Sequence, residues 1–304
     1  MEQSRFIPPV GTQVVTQVDI KNSAGEVIFV SGAVGIIVQL PVDLHHAYRV
    51  RFPDGAEAPL KRAEFTIRSH HQRPSGIGDP FAGVNLYDYV IYRCVTGSRA
   101  YSLDVADSDT DRRGIYLPPA ALHWSLSGVP EQLENQEQQE CYWEAQKFIV
   151  LALKANPNVL ECLYTPLVEM ATPLAQELLE QRAIFLSRLI YQTYNGYVMS
   201  QFKKLQKDME NQGNIKWKHA MHLIRLLLSG ITALQEGFIP VPVGEHREQL
   251  LAIRRGEMSW EAVNEWRLEL HKRFDAAFQT TRLPERPDYE TANTFLIKAR
   301  RSVL

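Results

Sequence analysis

Two aspartates separated by one residue, Asp109 and Asp111 around Thr110, form the clearest chemical signal in this sequence. Side chains alternate between the two faces of a strand, so this spacing predicts both carboxylates on one face. Mg²⁺ takes oxygen ligands and is bound through one or two carboxylates together with substrate phosphates, which such a pair can supply. Two such ions, about 3.5–4 Å apart, would activate an attacking hydroxyl and stabilise a departing pyrophosphate. Gly97 and Ser98 stand upstream, with ten residues between Ser98 and Asp109. Glycine lets a phosphate approach the backbone closely, and a serine hydroxyl with neighbouring N–H groups donates to its oxygens. Each piece alone is weak, since an isolated acidic pair is commonly a solvated turn. The combination, in this order, is far more specific.

Basic residues supply further candidates. Arg99 directly follows the Gly-Ser pair and is a candidate phosphate contact, while Arg112 and Arg113 follow the aspartates and either neutralise phosphate or pair with the carboxylates. Lys218, His222 and Arg225 lie at i, i+4 and i+7, which on a helix gives one cationic stripe able to meet a triphosphate or an acceptor phosphate. The alternative is a solvated charged face on a helix whose Leu223, Leu226 and Leu227 turn inward. His45/His46 and His70/His71 lack metal-ligand spacing.

Three segments must position these groups. Residues 10 to about 68 read as short strands: Thr12 to Ile20, a turn from Asn22 to Gly25, Gly35 to Leu40, and Ala47 to Phe52 before a Pro53-Asp54-Gly55 turn. They predict a small β-barrel over residues 1–72, and a Gly- and Pro-rich stretch from His70 to Pro80 marks the boundary. A catalytic segment over 73–165 then carries an apolar strand, the Gly-Ser turn and the aspartates. Beyond Glu144 the pattern turns helical, with a break at Asn156-Pro157-Asn158, and 166–304 is mostly helix. Asn156 is expected to end one helix in the left-handed conformation, and Glu161 to brace the loop.

Composition narrows the function classes. A formal charge of -2 and a pI near 6.5 argue against a protein that coats nucleic acid through bulk positive charge. Cys94, Cys141 and Cys162 have no CxxC spacing and suit a reducing compartment. The start of the chain has no charged-then-apolar leader and no apolar run is long enough for a membrane span, so the expected location is the cytoplasm, with no membrane partner. The five tryptophans are scattered, which predicts core packing rather than a platform for stacked bases.

The string GSRAYSLDVADSDTDRRGIYLPP resembles the polymerase-β nucleotidyltransferase superfamily, and within it the bacterial and phage group of predicted nucleotidyltransferases. Lys147-Phe148, the NPNVLE segment, KHAMHLIRLL from Lys218 to Leu227, IRRGEMSWE and LPERPD extend the resemblance over roughly residues 85 to 300. The run GAVGIIVQL followed by YRVRFPDG loosely resembles SH3-like barrels. Together these imply an α+β protein: an SH3-like β-barrel, a polymerase-β-type sheet with helices, then a helical region that binds substrate or nucleotide. The superfamily's third carboxylate stands on a neighbouring strand, and Glu140 is the candidate to join Asp109 and Asp111 in binding Mg²⁺ or Mn²⁺. The implied reaction moves a nucleoside monophosphate from an NTP, ATP foremost, to a hydroxyl of RNA such as a tRNA end. A protein acceptor, nucleotidylated on a side-chain hydroxyl, and a non-catalytic nucleotide sensor or scaffold are the alternatives.

Overall fold

The computed structural model describes residues 8, 10–21, 25–41, 47–68, 81, 83–106, 108–212 and 215–304. Residues 22–24 of the expected turn, both histidine pairs and the Gly- and Pro-rich stretch over 70–80 lie outside them. The chain divides into two compact units, Met1–Ala82 and Gly83–Leu304.

The first unit is all β. Its strands are β1 (Gln13–Thr16), β2 (Ile20–Lys21), β3 (Val27–Phe29), β4 (Val34–Gln39), β5 (Tyr48–Arg51), β6 (Glu57–Leu60) and β7 (Phe65–Ile67). Five form an antiparallel sheet in the order β6-β5-β4-β1-β7, and β2 pairs with β3. Period-two patterning sets the core: Tyr48, Val50, Ala58 and Leu60 are buried between exposed neighbours and meet Val14, Ile37, Phe52 and Phe65. The run expected from Thr12 to Ile20 is split, because the chain bends at Gln17 and Val18 and Asp19 accepts the Ser31 N–H at 2.7 Å. The Pro53-Asp54-Gly55 turn is present, closed by Gly55 N–H to Phe52 C=O at 2.9 Å.

The second unit opens with β8 (Val90–Thr96), α1 (Gly97–Ala100), β9 (Asp111–Tyr116), α2 (Ala120–His123), β10 (Gln132–Asn135), β11 (Glu140–Glu144), α3 (Ala145–Leu153), α4 (Pro157–Tyr164), β12 (Val168–Ala171) and α5 (Pro173–Glu180). Its sheet runs β10-β11-β9-β8-β12, antiparallel except for the parallel pair β9–β11. Register assigns the faces. Tyr92 pairs with Ile115 and Cys94 with Arg113, while Arg113 pairs in turn with Cys141 and Ile115 with Trp143. Tyr92, Cys94, Ile115, Cys141 and Trp143 all belong to the buried core, so this face carries the helical layer of α3, α4 and α5.

The remaining helices are α6 (Leu189–Gln212), α7 (Trp217–Glu236), α8 (Arg247–Arg254), α9 (Trp260–Thr280) and α10 (Tyr289–Arg301). α7 is buried almost all round and packs against α6, α8 and α9, as expected for the central helix of a bundle. Asn156 departs from its expected role. It caps the start of α4, accepting from the Asn158 N–H at 3.0 Å with Pro157 at the first helical position, and Ala155 takes the left-handed turn at φ 53°. The tryptophans also divide: Trp143 is buried, whereas Trp124 is 65% exposed. Among the described residues no helix is long and apolar enough to cross a membrane.

Candidate active site

The end of β8 and the start of β9 are adjacent, since Thr96 and Asp111 are register partners. β8 is buried along most of its length and stops at Gly97, whose φ of 70° turns the chain out of the sheet into the single turn α1. Two constraints fix glycine here. The left-handed backbone disfavours a side chain, and an added Cβ would overlap the Asp111 carboxylate, lying 3.2 Å from its Cγ. The turn expected to approach phosphate and the strand expected to carry metal ligands therefore occupy one place. Ser98 is half-exposed on α1, and its carbonyl accepts the Leu103 N–H at 2.8 Å.

Asp111 opens β9, and Asp109 is exposed in the segment leading into the strand. The alternation expected to align both carboxylates therefore begins only at the second of them. Arg99 reaches across this approach: its Nη2 donates to the Ser108 carbonyl at 2.8 Å, and Ser108 Oγ accepts the Val105 N–H at 2.9 Å. Arg113 lies 3.5 Å from Asp111 Oδ1, with both side chains about 30% exposed (29% and 32%), and donates also to the Arg112 and Gln139 carbonyls. Arg112 turns to the opposite face and pairs with Glu169 at 2.8 Å.

Glu140 is not brought to this pair. β11 runs parallel to β9 with Glu140 opposite Arg112, and directly paired residues share a face, so Glu140 lies on the Arg112 side of the sheet and Asp111 on the other. Its surroundings agree. Tyr142, two residues on, has its hydroxyl pushed to about 12 by burial and by Glu140 after the opposing effect of Arg93. The β11 position on the Asp111 face is Cys141, whose thiol burial raises to about 11. Among the described residues no group of three or more His, Cys, Asp or Glu is arranged to hold a metal ion.

The stripe on α7 forms, but its members meet different surroundings: Lys218 is exposed, His222 half-buried and Arg225 buried. Arg225 Nη1 pairs with Glu161 Oε1 at 2.7 Å, its guanidinium lies 3.6 Å from the Tyr101 ring centroid, and Tyr101 Oη donates to Glu161 Oε2 at 2.5 Å. Burial works against the charge on Arg225 and Glu161 more than offsets it, so the guanidinium stays protonated. Arg225 thus spends its charge bracing Tyr101, one residue past α1, rather than presenting it to solvent phosphate. Glu161, expected only to brace a loop, is the other half of that support. Burial, then Arg225 and Lys218, lower His222 to about 3, leaving it neutral.

Two contacts near the site had no legible signal. Arg247 Nε donates to the Ser102 carbonyl at 2.9 Å and Arg254 Nη1 to the Leu103 carbonyl at 2.7 Å, so α8 straps the loop that leaves α1. Ser102 is held at φ 59° within that loop. The partners are 145 and 151 positions apart in sequence, and no local pattern marks them.

The family described as the RNA repair pathway DNA polymerase beta family matches residues 68–298, and the chain belongs to it. Membership makes it a nucleotidyltransferase of the polymerase-β superfamily at the level of general function, and leaves the first β unit almost wholly outside the match. No curated protein and no solved structure matches the chain.

Proposed function

We propose that the chain transfers a nucleoside monophosphate from an NTP to a hydroxyl on RNA, releasing pyrophosphate, at the turn formed by Gly97, Ser98, Asp109 and Asp111. The observation that carries this is the Asp111 carboxylate packed directly against Gly97, which puts an anionic side chain at the backbone turn of the Gly-Ser pair. The two carboxylates suit Mg²⁺ or Mn²⁺ arriving with the triphosphate, since such ions need few protein ligands when phosphates complete the shell. A bound ion supplies Lewis-acid charge to the acceptor hydroxyl and the departing pyrophosphate. Gly97 and Ser98 orient the phosphates, Arg99 holds the approach to Asp109 by gripping Ser108, and Arg113 limits repulsion between Asp111 and the anionic substrate. His222, being neutral, offers a hydrogen bond without a charge. RNA is favoured as acceptor by the description of the family. Residues 73–165 act as the catalytic part, 166–304 as the substrate-binding part, and the first unit as an SH3-like accessory module.

A non-catalytic nucleotide sensor is the second reading, and the placement of Glu140 on the far face favours it, because a third carboxylate is then absent from β11 beside Asp111. Transfer of label from each α-³²P NTP to total RNA or protein, with Mg²⁺ or Mn²⁺, separates the readings. Label on RNA that is lost in the Asp109→Ala, Asp111→Ala double variant supports the proposal. Label on a protein band names the other acceptor class, and NTP binding without any transfer establishes the sensor.

A further inference from the structure

Beside the braced Tyr101 lies a cavity of about 300 Å³ whose lining includes Asn156, Asn158, Tyr197, His219 and His222. The Tyr101 and His222 rings meet edge to face with centroids 6.1 Å apart, so the cavity lies one side chain beyond α1. Tyr197 of α6 lines it, and Gln201 and Lys204 at i+4 and i+7 from Tyr197 share that residue's face of the helix. Gln201 Oε1 meets His219 Nε2 at 3.2 Å, which fixes that face against the start of α7. Exposed lysines flank the helix turns that line the cavity. Lys204, Lys216 and Lys218 are exposed, and after burial the first two hold down the proton affinity of His219, as Lys218 does that of His222. Tyr197 is 47% exposed.

An exposed aromatic side chain and amide side chains lining a cavity, with exposed lysines on the same two helix ends, match the chemistry of a single-stranded polynucleotide, whose bases stack on aromatic faces while its phosphates take the cations. We infer that this end of α6 and α7 seats the terminal nucleotides of the RNA acceptor, with Lys204, Lys216 and Lys218 on its phosphates and Tyr197 under a base. The inference rests on the RNA-acceptor reading above and assigns Lys218 to the acceptor rather than the triphosphate. It also explains how a chain of net charge -2 binds RNA: the positive charge is local.

The test is fluorescence anisotropy of a labelled single-stranded RNA of about twelve nucleotides, with full-length protein and no NTP, over roughly 50 to 200 mM KCl. The Lys204→Glu, Lys218→Glu double variant is expected to weaken binding at least about tenfold and to reduce the salt slope by about 1.4, two phosphate contacts' worth. Tyr197→Ala is expected to weaken it about fivefold or more with the salt slope unchanged. Lys272→Glu, an exposed charge reversal on α9, serves as the control for bulk charge. Losses in the double variant no greater than in two such remote reversals, or no RNA binding by the native protein, overturn the inference. All substituted side chains are exposed or half-exposed, and an unchanged thermal midpoint verifies folding. Failure of the surface and failure of the transfer reaction read out separately. RNA binding that depends on these lysines without label transfer removes the enzyme and keeps the surface. Label transfer to RNA with an unchanged KM for RNA in the double variant keeps the enzyme and removes the surface.

Discussion

Arg225 and Glu161 form a buried ion pair, 2.7 Å between Nη1 and Oε1, with the Tyr101 hydroxyl closing the third side. Removing one member of such a pair strands a charge in a low dielectric, while replacing both with apolar groups removes the burden altogether. Glu161→Leu or Arg225→Met alone is therefore expected to cost about 3–5 kcal/mol. The combined Glu161→Leu, Arg225→Met variant should recover most of it. Urea unfolding of the four members of this cycle measures the coupling, and additive losses would show that the two residues act independently.

Gly97→Ala tests the shared volume at the site. The backbone conformation alone is expected to cost more than about 1 kcal/mol. The new methyl group would also displace the Asp111 carboxylate, so transfer should fall at least about 10²-fold. Activity within a few-fold of native would mean that the Asp111 side chain has another working position.

Glu140→Gln is expected to leave transfer within about twofold and folding unchanged, because Glu140 sits across the sheet from Asp111 and surface substitutions are typically near neutral. A drop comparable to that of Asp111→Asn in the labelled-NTP assay would restore Glu140 as the third metal ligand and would require a slip of β11 against β9.

His222 carries a pH dependence of known sign. Its value of about 3 in the folded protein lies below its ordinary 6.5, so the unfolded chain takes up a proton first as the solution is acidified. The contribution of neutral His222 is complete above about pH 6.5 and is lost progressively as the pH falls from there toward 3. His123, His219 and His271 are shifted the same way by burial. His222→Gln should accordingly flatten, without abolishing, the fall in unfolding free energy between about pH 6.5 and 4.5. Ring resonances followed by NMR should show His222 still neutral at about pH 4.5, and a midpoint near 6.5 would contradict the packing described.

The local parts of the site were legible because their chemistry is written in short spacings. Gly97-Ser98 and Asp109-Thr110-Asp111 lie on either side of one loop, and the pairing of the neighbouring strands β8 and β9 brings them together. The strand pairing that decides which way Glu140 points is not local. A shift of one residue between β9 and β11 exchanges the faces, and nothing in the acidic run Glu137-Gln138-Gln139-Glu140 states the register. The helical stripe was legible as a stripe, yet the meaning of Arg225 depended on a carboxylate 64 positions away. Core alternation in the first unit was readable in β5 and β6, where apolar and polar residues alternate, and less so at Gln17 and Val18, where a bend interrupts it.

The two guanidinium contacts from α8 bear on how the protein is made. The carbonyls of Ser102 and Leu103 accept from Arg247 and Arg254, so during synthesis the turn is complete in sequence long before these anchors reach it. Closing so distant a contact is slow compared with forming the turn itself. A ribosome-bound chain that has just released the aspartates holds the turn but not the frame. The loop that leaves α1 is therefore framed only once α8 has emerged, which makes the helical region a timer for the turn.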